Sequence, residues 1–165
     1  MTACSKQNRR RVAIAALFAV CGFAVWTPPN ATWAGSMRRE PLFLTTQTGR
    51  TEISAEIAVT GPEQEQGLMF RTSMADTDGM LFVYDTAKDL SMWMHNTYVP
   101  LDMVFIRADG RVARIETNAE PLSDRVIESG SAVAAVLELK AGTAQRLSLK
   151  PGDKVESASL RSTTP

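Results

Sequence analysis

The sequence predicts a mainly β domain, a β-sandwich or barrel carrying two short helices. Two observations predict it. Apolar residues between 42 and 157 fall in short runs separated by turn residues. In the clearest run, Ile53, Ala55, Ile57 and Val59 alternate with Glu52, Ser54 and Glu56, the period of two expected of a half-buried strand. Helical signals are brief, and the strand–helix–strand alternation that builds a doubly wound sheet is not visible.

Leu42-Phe43-Leu44 opens the domain as a strand and turns through Thr48-Gly49-Arg50 into the run at 52–59. Thr60-Gly61-Pro62-Glu63 then starts a helix expected over about 62–69. Thr60 is a capping residue, Pro62 fits the first turn, and Glu63 stands at the capping-box spacing. A loop runs on to Gly79. Met80-Leu81-Phe82-Val83-Tyr84 and Leu90-Ser91-Met92-Trp93-Met94 are expected as strands. Met103-Val104-Phe105-Ile106 and Arg111-Val112-Ala113-Arg114-Ile115 form a hairpin around Ala108-Asp109-Gly110. A further strand runs from Ala132 to Leu139 and a second short helix from Ala141 to Leu147. Pro151-Gly152-Asp153 turns into a last strand near 154–157.

The chain has 165 residues, with 18 Lys+Arg against 18 Asp+Glu, a length suited to one domain. Its charge is unevenly placed. Residues 1–34 hold Lys6, Arg9, Arg10 and Arg11 and no acid; setting these four aside leaves 14 basic and 18 acidic side chains, a net charge of −4 for 35–165. Phosphate binding needs a basic face, so no nucleic acid partner is expected. Val12 to Trp26 is an uncharged run of fifteen residues, followed by Thr32-Trp33-Ala34 with small side chains at two of its three positions. This is the pattern of a signal peptide over 1–34, with cleavage after Ala34 and a periplasmic or secreted product. Fifteen helical residues span only about 22 Å, short of the roughly 30 Å hydrocarbon core. Membrane contact is therefore expected only through this segment, where it is retained. Cys4 and Cys21 both lie in it, which leaves the domain without thiol chemistry or disulfides. A polar linker over 35–41, a single β domain over 42–157 and a frayed tail over 158–165 complete the expected organisation.

Neither a phosphate loop nor a GxGxxG, HExxH or GxSxG motif is present, so no catalytic residue and no cofactor is assigned. The densest chemistry lies in Met92-Trp93-Met94-His95-Asn96-Thr97, which contains His95, the chain's single histidine. Methionine with histidine is a soft ligand set suited to Cu(I), making Met92, Met94 and His95 an alternative metal site. Alternation along a strand argues against it, because it places Met92 and Met94 on one face and His95 on the other. Glu138 interrupts the apolar run Val133–Leu139. A charge there needs a partner if buried, and Arg71 or Asn96 could serve. Arg71 is expected within salt-bridge distance of Glu138 or Asp102. A hydrolase-like alternative would use Asp102 or Glu138 as general acid or base.

The motifs Gly67-Leu68-Met69-Phe70-Arg71, Gly79-Met80-Leu81-Phe82, Trp93 through Asp102, Leu137 through Thr143 and Gly152-Asp153 occur in that order. Together they resemble the family called domain of unknown function 192, over about 42–157. The resemblance implies a compact, jelly-roll-like, mainly β domain that is often exported, and it implies no enzymatic activity or cofactor. Where this sequence has His95 the family often has Lys, which weakens any family-wide role for His95. The reading that follows is an exported, non-catalytic β domain whose polar cluster binds a small or saccharide-like ligand or an envelope protein. Trp93 offers a flat apolar surface for it, and Arg71, Asn96, Asp102 and Glu138 offer hydrogen-bonding groups.

Overall fold

The computed structural model describes residues 37–161; the leader expected over 1–34 lies outside the described residues. In chain order the elements are β1 (Arg39–Thr46), β2 (Gly49–Ala58), α1 (Gly61–Gln66), β3 (Asp78–Lys88), β4 (Ser91–Met92) and β5 (Leu101–Ile106). They continue with β6 (Val112–Ala119), β7 (Ile127–Glu128), β8 (Val133–Lys140), α2 (Thr143–Arg146), β9 (Lys154–Glu156) and α3 (Ala158–Arg161). Seven strands form one sheet in the order β6-β5-β8-β3-β2-β1-β9, and β4 pairs with β7 separately. Only the β2–β3 pair of the large sheet is parallel, with α1 in its crossover. The sheet curls as a half-barrel, and its two ends approach at a bridge between Arg111 and Lys154.

The mainly β prediction holds, in the form of one curled sheet with a small second sheet. Both faces of the large sheet are covered. Leu44, Ile53, Leu81, Val104 and Leu137 pack on one side, and Met80, Phe82, Met94, Met103 and Phe105 on the other. Every residue of β5 is therefore buried, as is all of β8 except Lys140, which is why those strands read as continuous apolar runs.

Local chemistry explains where the elements stop. Thr60 and Glu63 form the expected capping box at the start of α1. The helix ends at Gln66 rather than near 69, because Gly67 takes a positive φ of 45°, a conformation that glycine adopts at little cost. β4 covers only two residues of the expected strand at 90–94, and the chain from Trp93 to Tyr98 is irregular. β1 starts at Arg39, inside the expected linker, because Arg39 pairs with Glu56 on β2. The segment expected as a tail begins with α3. Ser159 donates its backbone N–H to Glu40 Oε1 at 2.9 Å, and Leu160 is buried against the core.

Candidate functional site

Strand register sets up a row of charge across one face of the sheet. Arg39 on β1, Glu56 on β2, Met80 on β3, Glu138 on β8, Met103 on β5 and Glu116 on β6 are successive Cα partners. Residues in register share a face, so three glutamates stand in line with a methionine between each pair. Two strand spacings place neighbouring glutamate backbones about 10 Å apart.

The outer two carboxylates are neutralised. Glu56 accepts hydrogen bonds from Arg71 Nη1 and Nη2 at 2.7 and 2.5 Å and from Arg39 Nη2 at 2.5 Å. The Arg71 guanidinium, more than that of Arg39, holds the Glu56 carboxyl below its usual range. Glu116 is bound by Arg125 and by Arg114, the latter at 2.5 Å, and is lowered in the same way, first by Arg125. Glu138 differs from both. It is 4% exposed and has no hydrogen-bond or ion-pair partner among the described residues. Burial pushes its carboxyl up to about 8, against the opposing charge of Arg71, and so favours the protonated form near neutral pH.

Glu138 opens onto a cleft of about 40 Å³. One wall is the chain from the end of α1 through Met69, and the other is Met92 at the end of β4 with Trp93, His95 and Thr97 of the irregular stretch after it. Phe82 lines it from the sheet and packs on Gly67, where a Cβ would lie 3.1 Å from the ring. The walls are tied to each other: the Phe70 N–H donates to the Asn96 carbonyl at 2.8 Å. Phe70 and Asn96 both have positive φ, 63° and 53°. Such conformations cost non-glycine residues on the order of 1–3 kcal/mol and persist only where surrounding contacts impose them. Trp93 is 56% exposed at the rim, with its ring centroid 5.8 Å from that of His95. His95 Nδ1 lies 2.8 Å from Asp124 Oδ1.

Larger hollows lie elsewhere, one of about 260 Å³ beside the Ala108–Gly110 turn and β9, another of about 540 Å³ next to Glu56 and Arg71. Their charged groups are already engaged: Lys154 donates to the Asp109 carbonyl, and Glu56 holds its two arginines. The small cleft is the one lined by a carboxyl that has no hydrogen-bond or ion-pair partner among the described residues.

Of the residues singled out from sequence, Trp93 and Glu138 meet at this cleft, while Arg71, Asn96 and Asp102 do not line it. Arg71 pairs with Glu56 instead of Glu138 or Asp102, because Glu56 is the carboxylate its guanidinium reaches from the α1–β3 loop. Asp102 is fully buried. Its Oδ1 accepts from the Asn118 N–H at 3.0 Å and its Oδ2 from the Ala144 N–H at 2.8 Å. It thereby caps α2, whose own N-cap, Gly142, makes no side-chain cap bond, and it has no access for acid–base work. Asn96 forms the turn between the walls.

The Met92, Met94 and His95 set also divides, but along a different line from the one expected. Met94 is 1% exposed in the core, whereas Met92 and His95 line the same cleft. Strand alternation does not reach His95, since β4 stops at Met92. Gln64 was not singled out from sequence, and Met69 and Thr97 stood there only inside longer motifs, Met69 also as a candidate helper for a copper set. The available signal for Met69 was Gly67, whose turn folds the following residues back over the sheet.

The fold places the chain among mainly β domains built on one curled sheet. The chain belongs to the DUF192 family, whose description is "Uncharacterized ACR, COG1430" and whose model matches residues 43–157. Two solved structures are similar to it. One, from Sinorhizobium meliloti 1021, is described as a "putative transcription regulator" and shares 46% identity over 75% of this chain and 97% of that one, with a TM-score of 0.73. The other, a protein of unknown function from Novosphingobium aromaticivorans DSM 12444, shares 40% identity over 75% of this chain and 89% of that one, also with a TM-score of 0.73. Among curated proteins none matches.

Proposed function

We propose that this chain is an exported, non-catalytic binding domain, and that its ligand places one small group in the cleft above Glu138. The observation that carries the reading is a largely buried carboxyl with no hydrogen-bond or ion-pair partner among the described residues, at a cleft open to solvent. It stands in a domain where no fully buried side-chain polar atom among the described residues lacks a hydrogen bond. Trp93 at the rim supplies an apolar surface for the rest of the ligand. The cleft's volume, about 40 Å³, suits a single small group and not a whole sugar ring. Saccharides would therefore bind across the rim with one substituent inserted.

The test uses methyl-labelled methionine in the full-length chain and a panel of methanol, acetamide, acetate and methylammonium. At least one is expected to perturb Met69 and Met92 saturably, with the response lost in Glu138→Gln. A panel that moves neither methionine would refute the site. Export is tested separately, by N-terminal sequencing of the chain recovered from the cell envelope. A start near Gly35 is expected, and an intact leader on soluble cytoplasmic chains would refute export.

A second reading, Cu(I) handling, is favoured by one observation: Met69, Met92 and His95 line the same cleft. Asp124 engages Nδ1 of His95, which leaves Nε2 as the ring nitrogen for a metal.

A further inference from the structure

We propose that the group received by the cleft is cationic, the primary ammonium head of an alkylamine. The inference rests on the cleft being a ligand site and adds the charge and class of what enters it.

The carboxylate row supplies the first argument. Glu56 and Glu116 each hold two guanidiniums, and Glu138, between them on the same face, holds none. Arg71, the cation whose charge Glu138 senses, has its guanidinium committed to both oxygens of Glu56. Among the described residues no cation is left to pair directly with Glu138 when it ionises, so a ligand can supply one.

The cleft lining supplies the second. It contains two carboxylates, Glu65 and Glu138, and one histidine, His95, whose Nδ1 faces Asp124, but neither lysine nor arginine. An entering anion would meet the negative charge of Glu65 and oppose ionisation of Glu138, whereas a cation gains an ion pair once Glu138 gives up its proton. Trp93 and Phe82 among the lining residues offer π systems, which attract ammonium groups. The thioethers of Met69 and Met92 add polarizable contacts for the alkyl chain. Size is the third argument. A compact ammonium fits a cavity near the volume of one or two waters, whereas a planar guanidinium with its five donors needs a wider mouth.

On binding, the ammonium keeps its three protons and Glu138 releases one to solvent. The buried site then holds an ion pair in place of a neutral acid. Affinity must therefore rise with pH until Glu138 is ionised in the free protein as well.

The experiment uses the full-length chain with Trp26→Phe and Trp33→Phe, so that fluorescence reports Trp93 alone, in phosphate buffer to avoid amine buffers. n-Butylammonium and n-butanol are titrated at several pH values. n-Butylammonium is expected to produce a saturable change and n-butanol to bind at least about tenfold more weakly, a difference of roughly 1.4 kcal/mol or more. Affinity for n-butylammonium should increase about tenfold or more between pH 6.5 and 8.5, and Glu138→Gln should remove both the charge preference and the pH dependence. Equal binding of n-butanol, or pH-independent binding of n-butylammonium by the unsubstituted protein, would overturn the inference while leaving the site in place. If neither compound alters Trp93, both the inference and the site reading fall. A Trp93 response to Ag(I) but not to n-butylammonium, lost in Met92→Leu with His95→Ala, would overturn the inference in favour of a soft metal.

Discussion

Arg71 grips Glu56 with both arms of its guanidinium, Nη1 at 2.7 Å from one carboxylate oxygen and Nη2 at 2.5 Å from the other. Fork-on-fork pairing of this kind fixes direction as well as charge. It ties the loop after α1 to β2, and so positions the cleft wall formed by the residues just before Arg71.

Arg71→Ala is expected to cost only about 1 kcal/mol in denaturant melts, because the pair is partly exposed and Arg39 still neutralises Glu56. Removing Arg39 as well strands a mostly buried carboxylate and should raise the loss to about 2–4 kcal/mol. The guanidiniums lower the Glu56 pKa from its ordinary 4.5. Their stabilisation is thus present above that value and disappears as pH falls through the lower, folded-state value. The gap between wild type and double variant should narrow in melts below about pH 4. A gap that persists undiminished at pH 2–3 would show that ionised Glu56 is not its source.

Glu138→Gln should act in the opposite sense. Glu138 is raised in the folded state from 4.5 to about 8. Its neutral form is compatible with burial, so it costs nothing below about pH 4.5 and destabilises progressively as pH rises towards 8, where the effect levels off. A glutamine of the same shape cannot ionise. The variant is expected to gain about 1–3 kcal/mol over wild type at pH 7 and to show no difference of pH origin at pH 4. Equal pH profiles for the two proteins would contradict the buried, unpaired state of this carboxyl.

Asp102→Ala should be among the most damaging single changes. It leaves the N–H groups of Asn118 and Ala144 without their acceptor, one of them buried at the start of α2. The expected cost is about 2–4 kcal/mol, with early hydrogen exchange at Thr143–Arg146. Wild-type stability in this variant would rule out a capping role.

Copper can be tested directly against the organic-cation reading. Met92→Leu with His95→Ala is expected to leave Cu(I) affinity within about threefold of wild type, measured by competition with a Cu(I) chelator. A loss of more than about tenfold would establish the soft-metal reading.

The periodic part of the sequence carried most of the fold. Ile53, Ala55 and Ile57 alternate as expected and enter one core, and the Thr60–Glu63 capping box fixed the start of α1. Alternation misled at Glu56, which reads as a solvent-facing residue yet is buried, because Arg71 from the loop after α1 and Arg39 from β1 lie against it. The two-residue strands β4 and β7 are too short to show any period. Glu138 was legible as an anomaly, a carboxyl in an apolar run, but its partner was not. Pairing depends on register between strands distant in sequence, and the register assigned Arg71 to Glu56. The same limitation hid Asp102, whose role as a cap arises only when β5 lies beside β8 and the following α2.

The pairing of β1 with β9 has a temporal consequence. Glu40 and Ser159, which are bonded where the domain's ends meet, are 119 positions apart. A chain delivered from its N-terminus onward has no strand to cover the outer edge of β1 until its final strand arrives, and such distant closures are slow. Synthesis of nearly the whole domain would thus be finished before the sheet can lock. Until then the uncovered edge is a template for misassembly, so truncation just before Lys154 should produce aggregates rather than a smaller soluble domain.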